Sequence, residues 1–255
     1  MKLPLLPISL ALVLVCFFPV DAQKRRVVKG TKPVVNAGRV IGNAAFIIDE
    51  RLSVLRIRPS LFAASLQRMR RGRRVQILAV TDADGVRFFK VRSSNGYIGW
   101  VQSDAVFGKF RPADEARLAG LVLATDGFER IELANAFLTL YPASRFRPAI
   151  LLLFGDLIEE AAARLTKDAG SRLSRREMAA TGAPLHSYYL NFNMLDRYRR
   201  AGVLFLFNPS TRNFHYDGAS WKELVRKYPS APEAAEATKR LYSLKEKLDK
   251  QLASN

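Results

Sequence analysis

Between residues 39 and 109 the apolar positions fall into short runs: RVIGNAAFII, LSVLRIRPS, RRVQILAV, VRFFKVR and YIGWVQS. Val, Ile and Phe dominate them, and Asp82-Ala83-Asp84-Gly85 and Ser93-Ser94-Asn95-Gly96 stand between them. Runs of this length and composition, bounded by turn residues, predict β-strands. Asn95-Gly96 predicts a two-residue hairpin turn of the primed type, because both residues tolerate the positive φ that such a turn needs twice. About five strands in about 70 residues predict a small barrel. After Pro112 the apolar period lengthens to three and four. ADEARLAGLVLA, GFERIELANAFLTLYP and RPAILLLFGDLIEEAAARLTKDA carry acids near their starts and bases near their ends, which predicts amphipathic helices packed on one another. Ala134, Phe137, Leu138 and Tyr141 share one face of the second.

A helix over about 186–201 is predicted next, then a β-hairpin over about 203–216 with Asn208-Pro209-Ser210-Thr211 as its turn. The segment ASWKELVRKYP and a last helix from about Pro232 to Leu252 close the chain. Residues 168–185 read as loop with room for a short helix. One internal echo stands out. LANAFLTLYPASRFRPA and WKELVRKYPSAPEAAEA both run an apolar stripe into Tyr-Pro and then into an Ala-bearing helix start. Proline cannot continue the first helix, so each copy predicts a helix-turn-helix unit.

The first 38 residues follow neither period. Lys2, an apolar run from Ile8 to Phe18, and Val20-Asp21-Ala22 form the pattern of an export signal ending at Ala22. An uncleaved anchor is the alternative, against which Pro4, Pro7 and Pro19 interrupt the roughly 20 apolar residues a span needs. Residues 23–38 read as a flexible basic tether. Cys16 is the single cysteine of the chain, and Val15 stands where a lipidated cysteine wants a small residue. The exported part thus has no disulfide, thiolate metal site or cysteine nucleophile. Apolar cores must hold it, and 49% hydrophobic residues supply the material. The expected location is the periplasm or the extracellular side.

The formal charge is +18, and removal of Lys2 and Asp21 with the leader leaves it unchanged. Charge on this scale favours polyanions. Outside a membrane these are wall polymers, lipid head groups touched peripherally, or an acidic protein, and not nucleic acid. The bases cluster at Lys24-Arg25-Arg26, in RMRRGRR from Arg68 to Arg74, and around Arg172 and Arg197. Each cluster alone equally suits a solvated surface.

Catalytic patterns are absent from the sequence. His186 and His215, 29 residues apart, show no metal-ligand spacing. GSRLS and TGAPLHS lack a nucleophile elbow, Glu159-Glu160 reads as a solvated helix face, and no phosphate loop or cofactor motif occurs. The expectation is a protein that is not an enzyme and carries no metal or cofactor, with a wall hydrolase using carboxylates of the helical part as the alternative.

VLRIRPS, MRRGRRVQILA, VRFFKVR and NGYIGWV, in that order, resemble the bacterial SH3 domain. FLTLYPASRFRPAILLLFGDL and WKELVRKYPSAPEAAEATKRL resemble tetratricopeptide-like repeats of envelope proteins. The combination is an α+β protein: an SH3-like barrel over 39–109, then a helical domain over 112–255 with an inserted hairpin. These resemblances imply that the barrel binds wall peptide or a protein segment and that the helices dock an envelope protein. A groove on the barrel would be bordered by Tyr97, Trp100 and Phe88 with Arg70, Arg71, Arg73 and Arg74, the rings taking apolar groups and the guanidinium groups taking carboxylates. In the alternative reading Trp100 only stitches the barrel shut. Strand alternation sets Ile98 and Trp100 on one side and Tyr97, Gly99 and Val101 on the other, with Gly99 allowing a neighbouring strand to come close.

Overall fold

A computed structural model describes residues 40–173 and 175–249. The expected leader, tether and final few residues of the last helix lie outside the described residues. Seven strands make one antiparallel sheet: β1 (Ala44–Ile47), β2 (Val54–Arg56), β3 (Ser65–Arg68), β4 (Arg74–Ala83), β5 (Val86–Ser93), β6 (Ile98–Gln102) and β7 (Val106–Phe107). They are hydrogen-bonded in the order β3-β2-β6-β5-β4-β1-β7. Leu55, near one end of that order, and Val106, at the other, belong to the same buried cluster as Ile77, Phe89 and Val101. The sheet therefore curls around a single core.

Alternation chooses that core residue by residue. Phe89 and Val91 of β5 and Gly99 and Val101 of β6 are buried, while Ile98, Trp100 and Gln102 face outward. A Cβ on Gly99 would sit 2.8 Å from both the Arg56 carbonyl oxygen and Leu55 Cγ. Here β2 crosses β6 too closely for any side chain. The glycine beside Trp100 thus closes the sheet, and Trp100 points away from the core.

The two-residue hairpin turn falls at Asp84-Gly85 and not at Asn95-Gly96. Asp84 (φ 51°) and Gly85 (φ 71°) form the two-residue turn between β4 and β5, with Ala83 paired to Val86. At Asn95-Gly96 the turn is longer. Gly96 N–H donates to the Ser93 carbonyl and Ser93 N–H to the Tyr97 carbonyl, both at 2.9 Å, and of the pair only Gly96 has positive φ. This three-residue loop ends in a glycine bulge instead of the predicted primed turn.

Eight α-helices follow among the described residues: α1 (Ala113–Ala124), α2 (Gly127–Leu140), α3 (Arg147–Arg172), α4 (Arg175–Thr181), α5 (Leu185–Leu190), α6 (Asp196–Arg200), α7 (Ala219–Lys227) and α8 (Pro232–Asp249). The helix expected over 186–201 is broken into α5, a 3-10 turn (Asn193–Leu195) and α6. Asn191 Nδ2 donates back to the Ser187 carbonyl at 2.8 Å, ending α5, and Phe192 leaves helical backbone to enter the core. The predicted hairpin is β8 (Phe205–Asn208) paired with β9 (Asn213–Tyr216). Its rings cap the helical core: Phe207 stacks on Tyr189 at 4.6 Å and Phe205 meets Tyr198 edge-on at 5.3 Å.

The Tyr-Pro echo is a structural repeat. Tyr141 N–H donates to the Phe137 carbonyl and Tyr228 N–H to that of Leu224, each at 2.9 Å. Ser144 and Ala231 then donate to the Tyr141 and Tyr228 carbonyls, and Arg147 and Ala234 to those of Ser144 and Ala231. The two corners also meet, since Tyr228 Oη donates to the Pro142 carbonyl at 3.4 Å. Arg147 pairs with Glu223 at 2.7 Å.

Sheet and helices share packing. Ile48 and Phe107 of the strand region belong to the helical core cluster. Beneath them Asp114, with no exposed surface, accepts from Gly108 N–H and Arg111 Nε at 3.0 Å and from Arg117 Nη1 at 2.9 Å. Burial raises the Asp114 carboxyl despite the two guanidinium groups.

Candidate functional site

The outward face of β6 is built by register. Trp100 lies between Arg56 on β2 and Lys90 on β5, and Ile98 lies opposite Arg92. Directly paired residues share a face of the sheet, so a half-buried indole is flanked by two cations, with an exposed Ile98 and Tyr97 beside it. Cations alongside an indole suit a ligand that combines apolar and anionic groups.

The loop after β2 extends this surface. Arg56 Nη1 donates to the Ala63 carbonyl at 2.7 Å. Asp84, in the β4–β5 turn, accepts from Ser60 Oγ at 2.7 Å and Leu61 N–H at 2.8 Å, and the Ser60 hydroxyl holds its carboxyl below the ordinary value. Fixed by these contacts, the loop presents Phe62 with 90% of its surface exposed. Ten large apolar side chains are exposed among the described residues, and Ile57, Phe62, Leu66, Tyr97 and Ile98 are five of them. All five lie on β2, β3 and β6 or the adjoining loops. That concentration distinguishes a patch from scattered surface residues.

The residues expected to border one groove are divided among three places. Trp100 lies on the outward face just described, and Tyr97, which the alternation set on the opposite side, is exposed in the turn just before β6 begins. Phe88 shares that face, one pair along β5 from Lys90, but is wholly buried and belongs to neither core cluster. It supports the face and offers no ring to a ligand. Arg74 is exposed and its carbonyl accepts from Ser94 N–H at 3.2 Å, so it stands near the Asn95-Gly96 turn. Arg73 is half-buried, with Nε buried and without a hydrogen-bond partner.

Arg70 and Arg71 turn toward the helices. Arg71 is a clamp: its Nη1 bonds Glu132 at 2.8 Å, its Nη2 bonds Glu129, its Nε donates to the Ile48 carbonyl at 2.8 Å, and its backbone N–H donates to Glu50 at 2.6 Å. With each of its three guanidinium nitrogens bonded and 8% of its side chain exposed, it serves the junction and not a ligand. The acids its guanidinium binds, Glu129 and Glu132, lie about 60 residues away in sequence, and a reading of the RMRRGRR run alone has no access to them. Arg70 lines a cleft of about 480 Å³ between the 70–72 turn, α2 and α6.

Phe62, Ile57 and Leu66 escaped the sequence reading. The available signal was a large aromatic placed among turn residues in RPSLFAAS, where strand alternation gives it no core position.

The helical part holds a polar centre at Glu159. Glu159 accepts from Tyr216 N–H at 2.8 Å and Lys247 Nζ at 2.9 Å, and pairs with His215 Nδ1 at 3.2 Å, beside a cavity of about 430 Å³. Burial pushes its carboxyl up, but the His215, Lys247 and Tyr216 donors outweigh that and hold it down to about 2. Glu159 is therefore not the solvated acid its helical setting suggested. It fastens β9 and α8 to α3.

No curated protein and no solved structure matches the chain. Residues 53–106, from the residue before β2 into β7, match the family model of the bacterial SH3 domain, and a helical region follows them. A binding module for cell wall or protein is what that domain suggests.

Proposed function

We propose that the protein is an exported, non-enzymatic adaptor of the cell envelope. Its barrel binds wall peptide or a protein segment through the face around Trp100 and Phe62, and its two Tyr-Pro helix pairs, tetratricopeptide-like in design, dock an envelope protein. The single observation that carries this reading is Phe62, almost wholly exposed on a loop fastened by Arg56 and Asp84. A pre-set apolar residue avoids the ordering cost that a mobile one incurs on binding. Leader, tether and a cysteine-free remainder support export, and the basic surface supports an anionic envelope polymer as additional partner.

The carboxylate-hydrolase alternative has one observation to consider, the Glu159–His215 pair. A carboxyl held near 2 has no proton to give at neutral pH and little tendency to take one, which favours the adaptor.

Co-sedimentation of the chain lacking residues 1–22 with isolated wall material tests this. Binding that weakens with salt, falls at least 10-fold in a Phe62→Ser/Ile98→Asp variant, and proceeds without release of soluble fragments is the expected result. Steady fragment release abolished by Glu159→Gln, or binding indifferent to the double variant, would overturn it.

A further inference from the structure

The cleft between the 70–72 turn, α2 and α6 has a charge pattern that the fold itself does not use. Its acids are already engaged: Glu132 by Arg71 Nη1 at 2.8 Å and Glu50 by Arg71 N–H at 2.6 Å. Three further arginines line it, Arg70, Arg197 and Arg200. Among the described residues the Arg70 and Arg200 side chains have no hydrogen-bond or ion-pair partner. Arg197 has no acidic partner there; it lies over the Phe128 and Tyr198 rings at 4.8 and 4.9 Å and donates one Nη2 bond to Tyr198 Oη. Stacking fixes the plane of that guanidinium and leaves its other N–H groups for an acceptor.

The wall between these cations is one stripe of α2. Phe128 and Leu140 give it apolar surface, and Asn135 and Thr139, one helical turn apart, give it polar groups. Asn135 uses its Nδ2 on the Ala201 carbonyl at 3.0 Å, so its side-chain oxygen remains available to a donor. The volume, about 480 Å³, is within the ~300–1,000 Å³ of ligand pockets.

We infer that this cleft, separate from the barrel face, is a docking site for an extended acidic protein segment whose carboxylates pair with Arg70, Arg197 and Arg200 and whose apolar side chain rests on Phe128. Planar carboxylates match guanidinium groups bidentately. Glu50 and Glu132 in the same lining each bond Arg71 through one oxygen, which leaves the other to accept a peptide N–H, and their charge disfavours the denser charge of a phosphate.

Fluorescence anisotropy on the chain lacking residues 1–22 decides the matter, using a labelled peptide of three glutamates and one phenylalanine and its all-glutamine counterpart. The glutamate peptide is expected to bind at least 10-fold more tightly than the glutamine one. Arg70→Gln/Arg200→Gln should weaken it at least 10-fold with an unchanged melting temperature, since neither side chain supports the fold. Arg172→Gln/Arg226→Gln removes the same charge from exposed helix positions and should weaken it less than 3-fold. Equal weakening by both pairs would reduce the effect to net charge and overturn the site. Displacement by equimolar inorganic phosphate, or capture of phosphatidylglycerol vesicles lost in Arg70→Gln/Arg200→Gln, would overturn the carboxylate assignment. Phe62 and Ile98 are untouched in these variants, so failure here leaves the wall-binding reading standing, and the converse holds.

Discussion

Arg70 and Arg71 are adjacent in sequence and opposite in fate. Arg71 is buried in a junction where it meets three glutamates and a carbonyl; Arg70 is exposed and unpaired among the described residues. The same contrast separates the junction as a whole from the outward face of the sheet. At the junction, Asp114 is satisfied by Arg111 and Arg117, and Arg71 by Glu129 and Glu132, and polar groups hold structure. On the outward face, Phe62, Ile98 and Tyr97 remain in water although apolar, and Lys90 and Arg92 flank them. A charged residue discloses a role only once its partner is known, whereas an exposed aromatic on a fastened loop discloses one by lacking a partner.

Substitutions sharpen that division. Asp114→Ala should have the largest effect on stability, about 3–4 kcal/mol, because it strands the Arg111 guanidinium and Gly108 N–H in the interior. Denaturant unfolding measures it.

Glu159→Gln comes next, at about 2–3 kcal/mol near pH 7. Its folded-state carboxyl lies at about 2 against an ordinary 4.5. The folded state therefore binds this proton less readily than the unfolded one, and the stabilisation is complete above about 4.5 and lost as pH falls toward 2. The variant should unfold with a flatter pH dependence between those values, measured by melting temperature.

Arg71→Met should cost about 2 kcal/mol, less than the Asp114 change because Glu129 and Glu132 remain half in water. The expected readout is a lower melting temperature with wall binding kept. Phe62→Ser should change stability by less than about 0.5 kcal/mol and yet remove most wall binding, which reverses the pattern of the junction variants.

Much of the strand region was legible because period two and glycine leave direct marks. YIGWV announced both the alternation and the close approach of β2. The Tyr-Pro echo was legible for the same local reason, since proline must end a helix wherever it falls. The turn at Asn95-Gly96 misled because Ser93 takes both of its backbone bonds into a longer loop, and the rival pair Asp84-Gly85 fills the two-residue role. The site was less legible. Trp100 could be located from the alternation, but Tyr97, which the alternation grouped with the buried Val101, is exposed because it precedes the strand, the assignment of Arg71 depended on Glu129 and Glu132 in a distant helix, and Phe88 on burial that its strand pattern does not record. Phe62 had no periodicity to place it at all.

The central claim, that the face around Trp100 and Phe62 is the docking surface, is tested most directly by hydrogen exchange on the chain lacking residues 1–22 with soluble wall fragments added. The account predicts slowed exchange at residues 57–62 and 97–101 with the 105–114 junction unchanged. Exchange in both of those surface segments that stays the same under saturating fragments would contradict it.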